Sequence, residues 1–322
     1  MKNLQRLAMV LGLAGALLAP AHAQTAAYPA KAVTMTVGYA PGGATDVIAR
    51  IVAQALSVRW KQQVVVENKS GAGGMIGAER VVRAPADGHV LLLAYTPEVS
   101  INKLIYKQMT YDPGIDLTPI ALVSSANLFL VSGPKLPVSS VKELLERKGQ
   151  NVTYGSPGTG GQQHLAGEYF QLQTGMPLTH VPYKGAAPAV TDLVGGQIDI
   201  FFSTPPVILP HIKSGRLKPL MVTSMQRDPL MPDVPSAKEM GLQDFEIANW
   251  FGLYGPKGMD PALVEKISAD MAVVLKDPVV LKRLEDSGLS ARYLNPQQLG
   301  AFMQSEMKKY GDIITRSNVQ KQ

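Results

Sequence analysis

Val33-Thr-Met-Thr-Val-Gly-Tyr-Ala-Pro-Gly-Gly-Ala-Thr-Asp46 is the stretch that decides how this chain folds. Val33, Met35 and Val37 alternate with Thr34 and Thr36, the period-two pattern of a strand. The turn Tyr39 to Gly43 follows, and a helix is predicted from about Thr45-Asp46. Its apolar residues Val47, Ile48, Ile51, Val52, Ala55 and Leu56 recur on one face at helical spacing. A further strand is predicted over Val64 to Val66, bounded by Asn68-Lys69-Ser70-Gly71. Strand, helix and strand form a βαβ unit, and such units build parallel sheets with right-handed crossovers. A second unit follows: a glycine-rich loop to Gly74, a helix from Met75 to about Arg83, the turn Asp87-Gly88, and a strand from Val90 to Ala94.

The pattern continues outward. Asn127 to Val131 reads as a strand, and Val138 to Arg147 as a helix begun by Ser139 or Ser140. Val152 to Gly155 reads as a short strand running into Ser156-Pro-Gly-Thr-Gly-Gly161, followed by a helix over Gln162 to Gln173. Ala187 to Val194 is predicted helical, and Ile198 to Phe202 and Leu217 to Thr223 as strands. Pro219 assigns the last of these to an edge or an irregular start, because proline cannot donate to a ladder. Beyond Pro261 the chain reads as helical over Pro261 to Leu275, Pro278 to Ser287 and Pro296 to Ser317. Each begins with proline near the first turn, where its missing N–H costs nothing. The fold class is α/β.

The N-terminus differs in kind. Lys2 and Arg6 precede an apolar run from Leu7 to Leu18, Pro20 breaks it, and Ala21-His22-Ala23 matches a small-x-small cleavage site. Residues 1–23 therefore read as a secretory signal peptide cut before Gln24. The run is shorter than the roughly 20 residues a membrane span needs. No cysteine follows it, so lipid attachment there is excluded. The 322-residue chain has no cysteine anywhere, which also excludes disulfides and thiolate chemistry. Its formal charge is +6. Loss of Lys2 and Arg6 leaves 29 basic against 25 acidic residues, or +4, with no basic run of the kind nucleic-acid binding uses.

In open α/β sheets, ligands sit beyond the carboxyl ends of strands, where helix N-termini offer free N–H groups to anions. Four turns suit this role. Tyr39 to Asp46 combines Gly42 and Gly43, which permit close approach or a tight turn, with Ala44 and the Thr45 hydroxyl. Asp46 reads more readily as a helix cap than as a ligand contact. Ser156 to His164 carries Thr159 and Gly160. Tyr183-Lys184-Gly185-Ala186 and Ser203-Thr204-Pro205 complete the set. Lys184 is either a ligand contact or a solvated charge. Trp250 and Phe251 read more readily as core or hinge packing than as a stacking platform.

Enzyme signatures are weak. No serine lies in G-x-S-x-G. Gly158-Thr-Gly-Gly161 fails the dinucleotide fingerprint because Gln163 stands in the last glycine position. His164 and Glu168 have metal-compatible i, i+4 spacing but lack a third ligand. No cofactor is expected.

The chain resembles the Bug-type extracytoplasmic solute receptors of tripartite tricarboxylate transporters. The motifs run in order through Tyr39-Ala-Pro-Gly-Gly-Ala-Thr-Asp46, Val65-Val-Glu-Asn68, Gly71-Ala-Gly-Gly74 with Ile76-Gly77, and Tyr111-Asp-Pro113. They continue through His164-Leu-Ala-Gly-Glu168, His180-Val-Pro-Tyr-Lys-Gly185, Leu193-Val-Gly-Gly-Gln-Ile-Asp199, Leu209-Pro-His-Ile-Lys213 and Trp250-Phe-Gly-Leu253. The resemblance implies a two-lobe periplasmic binding protein (flytrap) fold, each lobe a mostly parallel sheet flanked by helices. Lobe one would be residues 24–129 with 250–322, and lobe two residues 130–249, with crossovers near Leu130 and Asn249. It implies a monomeric periplasmic receptor for a small carboxylate, served by membrane transporter subunits; di- and tricarboxylates, aromatic acids and acidic amino acids are the family's ligand types. A ligand-sensing subunit and, further off, an exported hydrolase or isomerase are the alternatives. Thr96 and Glu98 join the candidate contacts. Pro97-Glu98 replaces the Gly-Thr of many members after the third strand, and Ser203 replaces an acidic residue. Glu98 facing the pocket would favour a ligand with an amino or hydroxyl donor.

Overall fold

The alternation over Val33–Val37 does become a strand. A computed structural model describes residues 28–317 and 319–321. The signal-peptide reading and the cut before Gln24 lie outside the described residues. Strand β1 (Val33–Val37) is followed by helix α1 (Ala44–Trp60), β2 (Val64–Asn68), α2 (Met75–Val82) and β3 (Val90–Tyr95). β1 pairs in parallel with both β2 and β3. Ile48, Ile51, Val52 and Leu56 of α1 pack against Leu91 and Leu93, while Ala78 and Val81 of α2 pack against Leu92 and Ala94. Successive residues of β3 thus feed two cores on opposite sheet faces, as strand geometry requires. A π-helical turn (Pro97–Ile101) and two short helices, α3 (Asn102–Ile105) and α4 (Pro113–Asp116), lead to β4 (Leu117–Asn127).

The predicted strand Asn127 to Val131 is not continuous. β4 ends at Asn127, and β5 (Phe129–Ser132) belongs to a second sheet. Leu128 sits between them because its backbone leaves both ladders. Its N–H donates to the Thr223 hydroxyl at 3.0 Å, and its carbonyl accepts from the Thr223 N–H at 2.8 Å. The following helix, α5 (Val141–Leu145), is shorter than predicted, and Ser140 caps it by accepting from the Glu143 N–H. Then come β6 (Val152–Ser156), α6 (Gln162–Thr174), β7 (Leu178–Pro182), α7 (Ala186–Val194), β8 (Ile200–Ser203), α8 (Pro205–Lys213) and β9 (Lys218–Val222). The sheet order is β7-β6-β8-β5-β9, so Pro219 does lie on an edge strand, beside a register shift. Leu165 and Phe170 of α6 cover one face, and Ala189, Leu193 and Ile208 of α7 and α8 the other.

The chain returns to the first sheet as β10 (Ala248–Pro256). It continues through α9 (Pro261–Val274), α10 (Pro278–Asp286), β11 (Ser290–Leu294) and α11 (Pro296–Arg316). Asp260, Asp277 and Asn295 cap the three helices, each with proline in the first turn as read from sequence. β11 was not foreseen in that helical stretch. The first sheet has the order β11-β4-β10-β3-β1-β2. Its strands β1 to β4 share one direction and β10 and β11 oppose it; in the second sheet only β5 opposes the rest. Both sheets are therefore mixed, because β5 and β10, the strands at the two crossings, run against their neighbours. Three elements tie the sheets together besides the crossings: the π-helical turn, α3 and α11. Ile101 and Ile105, and Tyr310, Ile313 and Ile314 at the end of α11, all join the second sheet's core.

Candidate functional site

The turn after β1 is locked by its own helix. Gly42 has φ of +87°, a backbone state open to glycine, whereas Gly43 is extended at −79°. The N-cap is Gly43, not Asp46, and no side chain caps α1. Asp46 instead reaches back from the first turn. Its carboxylate accepts from the Gly42 N–H at 3.1 Å, Arg50 Nε at 2.9 Å and Asn68 Nδ2 at 3.0 Å. Burial alone would raise the Asp46 carboxyl, but these hydrogen bonds outweigh it and hold the group below the usual carboxylate range. Asn68 also donates to the Tyr39 carbonyl at 3.0 Å. The amides of Ala44 and Thr45 are left without an intrahelical acceptor, as at any helix start.

Those amides border a cleft, open to solvent, between the two sheets. From the first sheet's side come Tyr39, Ala40, Pro41, Gly43, Ala44, Thr45, Tyr95 and Phe251. From the second come Pro157, Gln163, Lys184, Gly185, Ala186, Ala187, Pro188 and Thr204, and Asn249 stands at the return crossing. A second uncapped helix start, α7 after Gly185, lies across from α1. The start of α8 is a poorer donor than the Ser203-Thr204-Pro205 reading assumed, because Pro205 and Pro206 both lack an N–H. The floor is aromatic. Tyr39 meets Tyr95 edge-on at 5.3 Å, and Tyr95 stacks on Phe251 at 5.6 Å. Both hydroxyls are engaged: Tyr39 donates to the Gly73 carbonyl at 2.9 Å, and Tyr95 lies 2.9 Å from Gln163 Oε1 and 3.0 Å from Asn249 Oδ1.

Of the residues picked from sequence, Tyr39, Gly43, Ala44, Thr45, Lys184 and Thr204 line the cleft. Gly42 and Asp46 shape the turn from behind. Thr96 is buried and exchanges hydrogen bonds with the Trp250 backbone, its hydroxyl accepting from N–H at 2.9 Å. Glu98 does not face the ligand space. It is fully buried; one oxygen accepts from the Tyr95 N–H at 2.5 Å, and the other has no partner. The carboxyl is wedged against Gly38 and Gly74, where any β-carbon would collide with it. Burial raises its pKa well above the usual carboxylate range, against the lowering effect of the Tyr95 N–H.

In the second sheet, Ser156, Gly160 and His164 brace the loop rather than line the cleft. Thr159 also stays off the lining. Ser156 Oγ lies 2.7 Å from His180 Nε2 and donates to the Gly158 carbonyl at 2.8 Å. The Gly160 N–H donates to His164 Nδ1 at 3.1 Å. The two imidazoles stack at 4.1 Å. Burial lowers the His164 pKa to about 4; burial and then its neighbour His164 lower that of His180 to about 3. Both rings are neutral at pH 7, and His164 Nε2 stands 3.7 Å from Glu168. No cluster of three metal-ligating side chains exists among the described residues. Tyr183 donates to Asp192 at 2.8 Å, and Ser203 is fully buried.

Sequence reasoning passed over Tyr95, Gln163 and Asn249 as cleft residues, and it favoured packing over a stacking platform for Phe251, which lines the cleft. Tyr95 looks like the last apolar residue of a strand, and nothing local marks it as a cleft residue. Trp250 does prove to be core, its Nε1 donating to Glu306 at 3.0 Å.

A family model described as "Tripartite tricarboxylate transporter family receptor" matches residues 48–319. The chain belongs to this family. The tripartite tricarboxylate transporter receptors are solute-binding proteins rather than enzymes, in keeping with the reading above. The chain is 34% identical to Protein BugT of Bordetella pertussis over 320 residues, 97% of each protein. Among solved structures, R. palustris Rpa4515 with adipate superposes with a TM-score of 0.88 at 30% identity, covering 92% of this chain and all of that one. MatC from Rhodopseudomonas palustris with bound malate superposes with a TM-score of 0.82 at 29% identity, covering 89% and 100%. The receptor family thus shares the two-sheet architecture seen here.

Proposed function

We propose that this receptor is exported to the periplasm, loses residues 1–23, and captures a small di- or tricarboxylate or aromatic carboxylate for the membrane subunits of a tripartite tricarboxylate transporter. It acts as a monomer without a lipid anchor, and its lobes are residues 24–129 with 250–322, and 130–249. One observation carries the reading. Two uncapped helix starts, α1 and α7, belong to different sheets and border the same cleft. Free N–H groups and the partial positive charge of a helix start attract carboxylate. Lys184 adds the one charged side chain on the lining among the described residues. The relatives solved with adipate and with malate support the ligand class.

The test is a thermal-shift screen of carboxylates, followed by calorimetric titration of the hits. Ligand at 100 times its dissociation constant stabilises by about 2.7 kcal/mol. Gly43→Val separates site from fold. Residue 43 already has an ordinary φ, and an added β-carbon meets nothing nearer than the Ala40 carbonyl at 3.9 Å. The valine therefore enters the cleft without straining the turn. Binding is abolished, with only the modest loss of stability that a β-branched residue costs at an N-cap. Full affinity in this variant would falsify the α1 amide cradle and leave α7 as the anion site.

A further inference from the structure

We infer that the cleft selects carboxylates with a hydrocarbon body and rejects those carrying an ammonium group, so that acidic amino acids are excluded. This rests on the carboxylate-receptor reading and narrows it. The argument starts from the two acids nearest the site. Asp46 is consumed by Gly42, Arg50 and Asn68, and its residue does not line the cleft. Glu98 is turned into the protein beneath Tyr95, against Gly38 and Gly74. No Asp or Glu lines the cleft among the described residues, whereas Lys184 does, and none of the hydrogen bonds or ion pairs of the described residues involves it.

The amide and phenol oxygens of the wall are turned to one another, the single Tyr95 proton being shared between two of them. The side-chain oxygens of Gln163 and Asn249 both turn to the Tyr95 hydroxyl, and the Tyr39 hydroxyl turns to Gly73. What remains for a ligand is donors, the two neutral hydroxyls of Thr45 and Thr204, and apolar surface, with no negative charge among them. The donors are the amides that open α1 and α7, and the Lys184 ammonium. The apolar surface is the ring faces of Tyr39, Tyr95 and Phe251, opposed by Pro157 and Pro188. An ammonium enclosed here loses water and gains no counter-charge, and its penalty is large. Repulsion from Lys184 adds to it. A hydrocarbon spacer in the same place displaces water from aromatic surface at no such cost.

Matched ligands isolate the one group. Glutarate, 2-hydroxyglutarate and L-glutamate share a five-carbon skeleton and differ only at the second carbon. Calorimetric titration of the full mature receptor is expected to place L-glutamate at least about 100-fold weaker than glutarate, as burial of an unpaired charge implies. 2-Hydroxyglutarate is expected within about tenfold of glutarate, because a hydroxyl can turn to a solvent or a backbone group. L-glutamate binding as tightly as glutarate overturns the inference. Equal rejection of hydroxyl and ammonium also overturns it, because the cause is then bulk and not charge. If no carboxylate of any kind binds, both this inference and the receptor reading on which it rests fall. Gln163→Glu tests the cause directly, since it keeps the acceptor for Tyr95 and places an acid on the wall. The ratio of the L-glutamate to the glutarate dissociation constant is expected to fall at least tenfold; an unchanged ratio overturns the charge explanation. Ala187→Asp, on the exposed first turn of α7, makes the same measurement if the buried substitution does not fold.

Discussion

Asp46 and Glu98 lie close to one cleft and meet opposite fates. Burial acts to raise both pKa values, but three donors outweigh it and lower that of Asp46, whereas the one backbone donor to Glu98 does not and its pKa stays raised. Lys184 is exposed on the cleft lining and has no partner among the described residues, which leaves it available to a ligand carboxylate. Lys184→Ala is expected to weaken carboxylate binding by about 1.5–3 kcal/mol and to leave the melting temperature unchanged; Thr45→Ala, which removes a neutral donor, costs about 0.5–1.5 kcal/mol. Titration of both variants checks this, and a silent Lys184→Ala would return that residue to the solvent. The stacked histidines make a pH prediction. Their folded pKa values, about 4 for His164 and about 3 for His180, lie below the free value of 6.5. Between those limits the unfolded chain binds more protons, so stability rises with pH. The contribution is complete above about pH 6.5 and is lost as pH falls through 4 toward 3. Denaturant unfolding from pH 8 to pH 4 should show that decline. His164→Asn, which keeps an acceptor for the Gly160 N–H, should flatten part of it.

Among the elements, the two sheet crossings are joined by one side chain. The Thr223 hydroxyl accepts from the Leu128 N–H at 3.0 Å and lies 2.6 Å from the Ile247 carbonyl, so it stitches the outgoing crossing to the returning one. Thr223→Val keeps the shape and removes both bonds. It leaves a buried N–H and carbonyl without that partner and is expected to cost about 1–3 kcal/mol in denaturant unfolding. Helices were legible wherever their signal is local. Pro261, Pro278 and Pro296 mark first turns, and the preceding Asp260, Asp277 and Asn295 are the caps. β11 was not legible, because Ser290-Ala-Arg-Tyr-Leu294 has no clean alternation and is a strand only through pairing with β4. The break at Leu128 was hidden for the same kind of reason. An apolar run of Leu, Phe, Leu and Val looks continuous until Thr223, some 95 positions away, takes its backbone groups.

For the whole molecule, ligand should draw the lobes together through hinge motion at these crossings. Small-angle scattering at saturating ligand is expected to show a smaller radius of gyration than the free protein; an unchanged value argues against hinge closure. The swing is limited by elements that span both halves, since α11 begins beside the first sheet and ends with Tyr310, Ile313 and Ile314 in the second sheet's core. The βαβ units, the glycine turn before α1 and the proline-marked first turns of the last three helices were determined by the sequence alone. Each depends on residues within about ten positions of one another, where backbone sterics and periodicity decide the outcome. The tertiary structure alone decided which of the candidate residues meet. Tyr95 and Asn249 stand 154 positions apart and share a hydrogen bond at the cleft floor, and Glu98, three residues beyond the cleft residue Tyr95, is turned inward by the π-helical turn that carries it. Which way a side chain faces depends on how distant strands pair, and that pairing leaves no local mark in the chain.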